Sequence, residues 1–166
     1  AINKAQVAKA LGSLPMPENA WDLVFNPTYT AKLKSCGIAY LDSPTEIIPP
    51  AMHYLGKNAY SNDPADHKAA GQMLAKVRSH IRMFTSTMID DLASGKACAA
   101  IGWAGDMNIA RSRALENKSS NDIEVLLPKN GGLIFIDSLA IPKDAKHPKN
   151  AQAFIDFFLR PEISAT

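Results

Sequence analysis

A short apolar run that ends at a glycine-flanked tryptophan constrains the fold of this chain more than any other stretch. Residues 97–101 (ACAAI) are small or branched and apolar, which is typical of a strand buried on both faces of a sheet. Residues 106–115 have the composition of a helix, with an acid at the start and arginines later. This order places Trp103 and Asp106 at the carboxyl end of a strand, where open α/β sheets bind ligands.

Composition limits the class of protein. The chain has 166 residues, of which 46% are apolar, enough for one ordinary domain with a core. A formal charge of +2, with no basic run interleaved with aromatic residues, gives no indication of nucleic-acid binding. No apolar segment is long enough to span a bilayer. No charged-then-apolar leader is present at Ala1, so we expect any targeting segment to have been cleaved or to lie outside this sequence.

The cysteines and histidines give no sign of a metal site. Cys36 and Cys98 do not form a close metal or redox pair, and the four histidines are scattered without ligand spacing. We therefore expect no metal and no cofactor. In apolar contexts such as these, the two cysteines would most commonly be buried free thiols.

The remaining pattern alternates strands with helices. Strands are predicted at 38–42, 81–84, 97–101, 123–128 and 133–142, and helices at 4–11, 44–55, 68–79, 88–94, 106–115 and 150–159. Ser43, Pro44 and Glu46 have the form of a capping box at the start of the second helix. The polar stretch 56–67 is predicted to be a surface loop. The alternation predicts an α/β layered sheet, and no internal repeat is visible.

Four motifs, taken in order along the chain, resemble one family. They are WDL at 21–23, LKSCG at 33–37, AIGWAGD at 100–106 and the segment from GG to DSLAIP at 131–142. The pattern resembles the polyamine-binding proteins of bacterial ABC transporters, nearest to the putrescine- and spermidine-binding periplasmic proteins. Because several motifs agree in order and spacing over nearly the whole chain, the resemblance is specific.

The resemblance implies a fold, a location and partners. Members of the family have two α/β lobes with the ligand between them, so residues 1–136 would form the second, periplasmic-binding-protein-like (type II) lobe, with its sheet flanked by helices. Residues 137–166 would be a crossing strand and helix that return to the first lobe, which this sequence lacks. The resemblance also implies the periplasm of a Gram-negative bacterium, a membrane permease as partner and no enzymatic activity. In that compartment a disulfide between Cys36 and Cys98 becomes the better interpretation.

A polyamine sets clear requirements for its site. At neutral pH it is a flexible alkyl chain with an ammonium at each end, so it needs separated carboxylates and an aromatic wall for the methylenes. Trp103 with Asp106, and Phe135 with Asp137, offer these groups on two loops. Alternation along a strand would put Phe135 and Asp137 on the same face. Asp106 favours putrescine over spermidine, because it brings a second anchor close to Trp103 for a short diamine.

Each candidate also has a structural role to consider. Asp106 could simply cap its helix, and Ser86 could reach an ammonium or merely cap the helix that follows. Glu46 is the third member of the capping box, and only the resemblance places it on a ligand position. A lone aromatic residue on a strand, such as Phe135, is usually core. Trp103 has little reason to be core, because it lies between glycines after a buried strand.

Two other classes of function remain open. Asp106, Asp137 and Glu46 could form an acid/base pair of the glycosidase kind, although the chain has no nucleophile elbow, phosphate loop or metal motif. The apolar face of the helix at 150–159 could instead dock on a partner protein. Without the first lobe, that face would pack non-natively, swap onto a second copy of the chain or be covered by a neighbouring molecule.

Overall fold

One mixed sheet contains the strands of residues 1–164, the part of the chain that this computed structural model describes. The strands are β1 (Ile2–Asn3), β2 (Ile38–Leu41), β3 (Met83–Thr85), β4 (Ala99–Ile101) and β5 (Ile123–Glu124). Their order across the sheet is β3-β2-β4-β1-β5. β2 pairs in parallel with β3 and β4, whereas β1 pairs antiparallel with β4 and β5. β4 is buried along its whole length, which confirms the prediction for residues 97–101.

Helices fill the connections between the strands. They are α1 (Lys4–Leu11), α2 (Asp22–Phe25), α3 (Pro27–Leu33), α4 (Pro44–Tyr54), α5 (Pro64–Val77), α6 (Met88–Ala93), α7 (Ala104–Glu116), α8 (Pro148–Phe158) and α9 (Pro161–Ser164). α2 to α5 pack among themselves, and α6 packs on α7. The predicted α/β fold, a sheet flanked by helices, is therefore confirmed.

One helix begins earlier than the sequence predicts. Residues 56–67 were expected to form a loop, but α5 begins at Pro64. The Asp63 side chain accepts a hydrogen bond from the Ala65 amide at 2.8 Å, which caps the new helix end. A proline at the first helical position fits because its missing amide would have no partner there. The last residues of the predicted loop therefore form the N-cap and first turn of α5.

Two predicted strands are shorter or absent. β5 ends at Glu124 instead of continuing to residue 128, because its partner β1 is itself only two residues long. Residues 133–142 form no strand in the described part of the chain, so that prediction is wrong. An apolar alternating sequence becomes a strand only where a neighbouring strand supplies its hydrogen bonds, and no strand pairing of the described residues involves this segment.

The connections after β2 and β4 run in opposite directions across the sheet. α4 and α5 lead from β2 to β3 at one edge, whereas α7 leads from β4 to β5 at the other edge. Neighbouring parallel strands whose connections diverge leave a crevice outside their carboxyl ends. The fold therefore predicts a ligand site between the ends of β2 and β4.

The opposite end of the parallel strands is fastened covalently. A disulfide joins Cys36, which precedes β2, to Cys98, which precedes β4, and their Cα atoms lie 5.5 Å apart. The predicted disulfide is therefore confirmed. The Arg82 guanidinium donates hydrogen bonds to the carbonyls of Ser35, Cys36 and Lys96 at 2.7–3.1 Å, beside the same bond. These contacts hold the amino ends of β2, β3 and β4 together.

The chain divides into two compact units, Ala1–Leu133 and a second that begins at Ile134. The second unit contains an irregular segment followed by α8 and α9. On α8 the rings of Phe154 and Phe158 stack with their centroids 6.1 Å apart. None of the helices described here has the length and hydropathy needed to cross a membrane. The assignment of residues 1–136 to a second lobe, and of 137–166 to a returning segment, stays a prediction.

Candidate functional site

Three loops meet at the carboxyl ends of the parallel strands. Asp42 follows β2, Ser86 follows β3, and Trp103 follows β4 after a single glycine. The Asp42 amide donates to the Thr85 carbonyl at 3.3 Å, which continues the pairing of β2 and β3 up to the loops. The structure therefore gathers polar and aromatic side chains at the edge where the divergent connections leave a crevice.

Trp103 and Glu46 are in direct contact across this crevice. The indole Nε1–H donates a hydrogen bond to Glu46 Oε2 at 3.2 Å. Trp103 is the N-cap of α7 and has an extended backbone, with φ −72° and ψ 140°, while Glu46 lies in the first turn of α4. Both residues are partly buried. Two residues predicted to bind the ligand are thus brought together from opposite sides of the crevice.

The capping box predicted at the start of α4 does not form. Ser43 is the N-cap, but its side chain makes no capping hydrogen bond, and its hydroxyl instead lies 2.9 Å from the hydroxyl of Thr45. The Glu46 carboxylate faces the indole rather than reaching back to the Ser43 amide. A carboxylate gains more from a partly buried indole donor than from an amide that water can satisfy. Glu46 is therefore a residue of the crevice.

The capping alternatives for Asp106 and Ser86 are not what the structure shows. The N-cap of α7 is Trp103, and the N-cap of α6 is Thr87. Asp106 is partly buried in the first turn of α7, and Ser86 is exposed between β3 and α6. Neither side chain has a hydrogen-bond partner among the described residues. Both keep their polar atoms available for a ligand.

The carboxylates of the crevice lack positive partners. The ion pairs of residues 1–164 join other groups: Lys4 to Asp122, Lys57 to Asp66, Arg113 to Asp90 and Lys129 to Glu18. Within the described residues, neither Glu46, which contacts the indole of Trp103, nor Asp106, in the first turn of α7, pairs with a lysine, arginine or histidine. Nor does the described part of the chain contain a group of three or more residues suited to a metal ion. The crevice is suited to a positively charged organic ligand.

Phe135 and Asp137 belong to the second unit. Both are exposed and lie in irregular backbone, with Phe135 58% exposed. Because this segment is not a strand, alternation no longer places the ring and the carboxylate on one face. The prediction that a strand pairs them is wrong, and their part in ligand binding stays a prediction.

Gly102, one of the glycines that flank Trp103, has a packing role that the sequence did not predict. A Cβ atom on Gly102 would lie 2.2 Å from Met88 Sδ and 2.5 Å from Met107 Cε. Both methionines are buried, so neither has room to move away without disturbing the core. No local sequence signal reveals such a contact, because the two methionines come from α6 and α7.

A separate cavity has the wrong chemistry for a cation. It has a volume of about 260 Å³ and is lined by apolar side chains of α4, α5, β2 and β3, with Arg78 beside them. The Arg78 guanidinium lies 4.6 Å from the centre of the Phe84 ring. The cavity lining contains a cation and no carboxylate, so it does not compete with the crevice for a positively charged ligand.

Comparison with known proteins agrees with this chemistry. The family model for the bacterial extracellular solute-binding protein matches residues 2–166. The putrescine-binding periplasmic protein SpuD of Pseudomonas aeruginosa (strain UCBPP-PA14) is 44% identical over 164 residues, which cover 98% of this chain and 44% of SpuD. The putrescine-binding periplasmic protein PotF of Escherichia coli K12 is 42% identical over 151 residues, covering 90% of this chain and 41% of PotF.

A third relative is also named as a putrescine-binding protein. The putrescine/agmatine-binding protein of Pseudomonas aeruginosa PAO1 is 38% identical over 161 residues, covering 96% of this chain and 44% of that protein. The chain thus spans less than half the length of these curated relatives. All three are named as binding proteins rather than enzymes, in agreement with the sequence prediction.

Proposed function

Because the chain belongs to the bacterial extracellular solute-binding proteins, we propose that it is one lobe of a receptor that captures polyamines for an ABC importer. Putrescine is the preferred ligand, since SpuD, PotF and the third relative are all named for putrescine. The protein works in the periplasm of a Gram-negative bacterium, the location that the names of SpuD and PotF give. Its partner there is the membrane permease of the transporter.

One observation carries the proposal: the indole of Trp103 contacts the Glu46 carboxylate, and no cation among residues 1–164 pairs with that carboxylate. An ammonium at this point donates a charge-assisted hydrogen bond to the Glu46 carboxylate and makes a cation–π contact with the ring. The cation–π contact with the ring contributes about 0.5–2 kcal/mol to the binding free energy, depending on how completely water is excluded. The apolar face of the indole also suits the methylene chain.

The contact leaves Glu46 able to perform both tasks. Its Oε2 accepts from the indole, while Oε1 has no hydrogen-bond partner among the described residues and is available for an ammonium. The same bond holds the ring of Trp103 in place before a ligand arrives, which lowers the ordering cost of binding. Asp106 supplies a second carboxylate, and Ser86 supplies a hydroxyl, at the same edge of the sheet.

The remaining groups come from elsewhere in the receptor. We propose that Phe135 and Asp137, which the family resemblance implies as ligand residues, also bind the polyamine. The first lobe, which this chain does not contain, supplies the facing wall of the cleft. Closure of the two lobes then removes water from the ammonium groups and strengthens their pairing with the carboxylates.

A thermal-shift screen on the full-length protein tests the ligand class. At a fixed ligand concentration, a ligand that binds only the folded state raises the melting temperature more, the lower its dissociation constant. We expect putrescine to raise the melting temperature most, spermidine less, and a neutral diol of the same length as putrescine not at all. If the polyamines leave the melting temperature unchanged, the proposal is wrong, and a docking module or an enzyme becomes the better description.

A further inference from the structure

Asp91 is a buried acid that the proposed ligand site does not use. Its side chain belongs to α6 and is only 8% exposed, beside a core of apolar residues. Burying a carboxylate is costly unless hydrogen bonds or a cation compensate it. No lysine, arginine or histidine pairs with Asp91 within the described residues. Its hydrogen bonds must therefore account for its position.

Both hydrogen bonds go to the loop that contains Ser86. Asp91 Oδ2 accepts from the hydroxyl of Thr85 at 3.3 Å and from the hydroxyl of Thr87 at 3.2 Å. The two hydroxyl oxygens lie 2.8 Å apart, and the Thr87 amide donates to Thr85 Oγ1 at 2.9 Å. One carboxylate oxygen thus joins the residues on either side of Ser86. These contacts hold the turn from the end of β3 to the N-cap of α6, and Ser86 is exposed between them.

The same loop supports Trp103 from beneath. Met88 follows Thr87 directly, is fully buried, and fills the space under Gly102 so closely that a Cβ there would lie 2.2 Å from its sulfur. Gly102 is the residue before Trp103 in the chain. A shift of Thr87 would therefore move Met88 and, through Gly102, the indole as well.

We propose that Asp91 is a positioning residue of the ligand site, which fixes Ser86 and Trp103 without contacting the ligand. The proposal rests on the polyamine receptor function given above. Asp91 acts as a hydrogen-bond acceptor for two threonines, and this is a matter of geometry rather than of charge. An asparagine at the same position keeps an acceptor oxygen, whereas an alanine keeps none.

The test compares ligand affinity in matched variants of the full-length protein, measured by calorimetric titration with putrescine. We expect Asp91→Ala to weaken binding roughly tenfold or more, the effect of losing a pair of buried hydrogen bonds. Asp91→Asn is expected to restore most of that affinity. Ser94→Ala, at the other end of α6, is the control and leaves the dissociation constant unchanged.

A second pair of variants covers the case in which Asp91→Ala does not fold. Thr87 is exposed, so Thr87→Val removes one hydroxyl without disturbing the core, and Thr87→Ser retains that hydroxyl. We expect weaker binding for Thr87→Val and rescue of that loss by Thr87→Ser. In a double variant of Thr87→Val with Ser86→Ala, the loss of binding free energy for putrescine should be smaller than the sum of the losses in the two single variants, because both changes act through one loop.

The outcomes separate this inference from the proposed function. If the wild-type protein binds putrescine and both Asp91→Ala and Thr87→Val bind it equally well, the positioning role is wrong and the receptor function stands. If Asp91→Asn is as weak as Asp91→Ala, the carboxylate acts by charge and the geometric account is wrong. A wild-type protein that binds no polyamine overturns both proposals together.

Discussion

We propose that Trp103 performs two tasks in ligand binding, which different substitutions can separate. Its ring offers a face to an ammonium and to methylene groups, and its Nε1–H donates to Glu46 across the crevice. A residue with only one of these functions would retain part of the affinity. At the scale of the residue, the site is therefore a pair of side chains that hold each other in place.

We expect Trp103→Phe to weaken putrescine binding in the full-length protein modestly, by roughly threefold to tenfold, because it loses only the hydrogen bond to Glu46. Trp103→Ala should weaken binding further, because it also loses the stacking surface and the cation–π contact. Calorimetric titration gives both dissociation constants. Equal losses for the two variants would contradict an aromatic role separate from the indole hydrogen bond.

The packing beneath Trp103 gives a second prediction at this scale. Gly102→Ala places a Cβ against the two buried methionines, so we expect a loss of about 1–3 kcal/mol in the free energy of unfolding, together with weaker binding. Gly105→Ala is the matched control, because a Cβ there meets nothing within 4 Å. Urea denaturation measures both variants. A Gly102→Ala protein as stable as Gly105→Ala would show that the loop is not fixed by this contact.

At the scale of the element, the local sequence predicted where helices form, but not which strands pair or which side chains contact each other across the fold. The bounds of α1 and α7 were predicted within two residues from local signals, namely the glycine that follows α1 and the acid at the start and arginines later in α7. The strand expected at 133–142 does not form, because a strand depends on a neighbour that local sequence does not reveal. The Trp103–Glu46 contact joins residues 57 positions apart, so sequence identified both residues but not their bond.

The disulfide stabilises the fold by joining two strands. It joins the amino ends of β2 and β4 and has a sequence separation of 62 residues, so its loss should cost about 4 kcal/mol on the chain-entropy model. We expect Cys36→Ala with Cys98→Ala to lower the free energy of unfolding by up to this amount, as measured by urea denaturation. Putrescine affinity should change little, because the site lies at the opposite ends of the strands. A large loss of affinity in a folded double variant would contradict this separation.

At the scale of the whole molecule, the second unit has an apolar helix face that is not buried. On α8 the side chains of Phe154, Phe157 and Phe158 are 60%, 47% and 47% exposed. Each large apolar side chain that stays exposed loses roughly 1.5–3 kcal/mol of the hydrophobic stabilisation that full burial would give. We expect the first lobe that the family resemblance implies to cover this face in the intact receptor.

A protein consisting of residues 1–166 alone should therefore associate with itself, by swapping α8 between copies or by packing these faces together. Light scattering over a concentration series measures the apparent mass. The double variant Phe154→Asp with Phe158→Asp should remain at lower mass, because its charged face resists association. If the unaltered chain is strictly monomeric and the variant is no more soluble, this expectation fails.

The central claim is that Glu46 and Trp103 of this lobe grip one end of a polyamine, and calorimetric titration of the full-length protein with putrescine tests it most directly. We predict that Glu46→Gln weakens binding by on the order of 2–5 kcal/mol, because it leaves a desolvated ammonium without its charged partner. Asp137→Asn should behave similarly. Glu116→Gln, at the far end of α7, is the matched control and should bind like the wild type. An unchanged dissociation constant for Glu46→Gln would contradict the account.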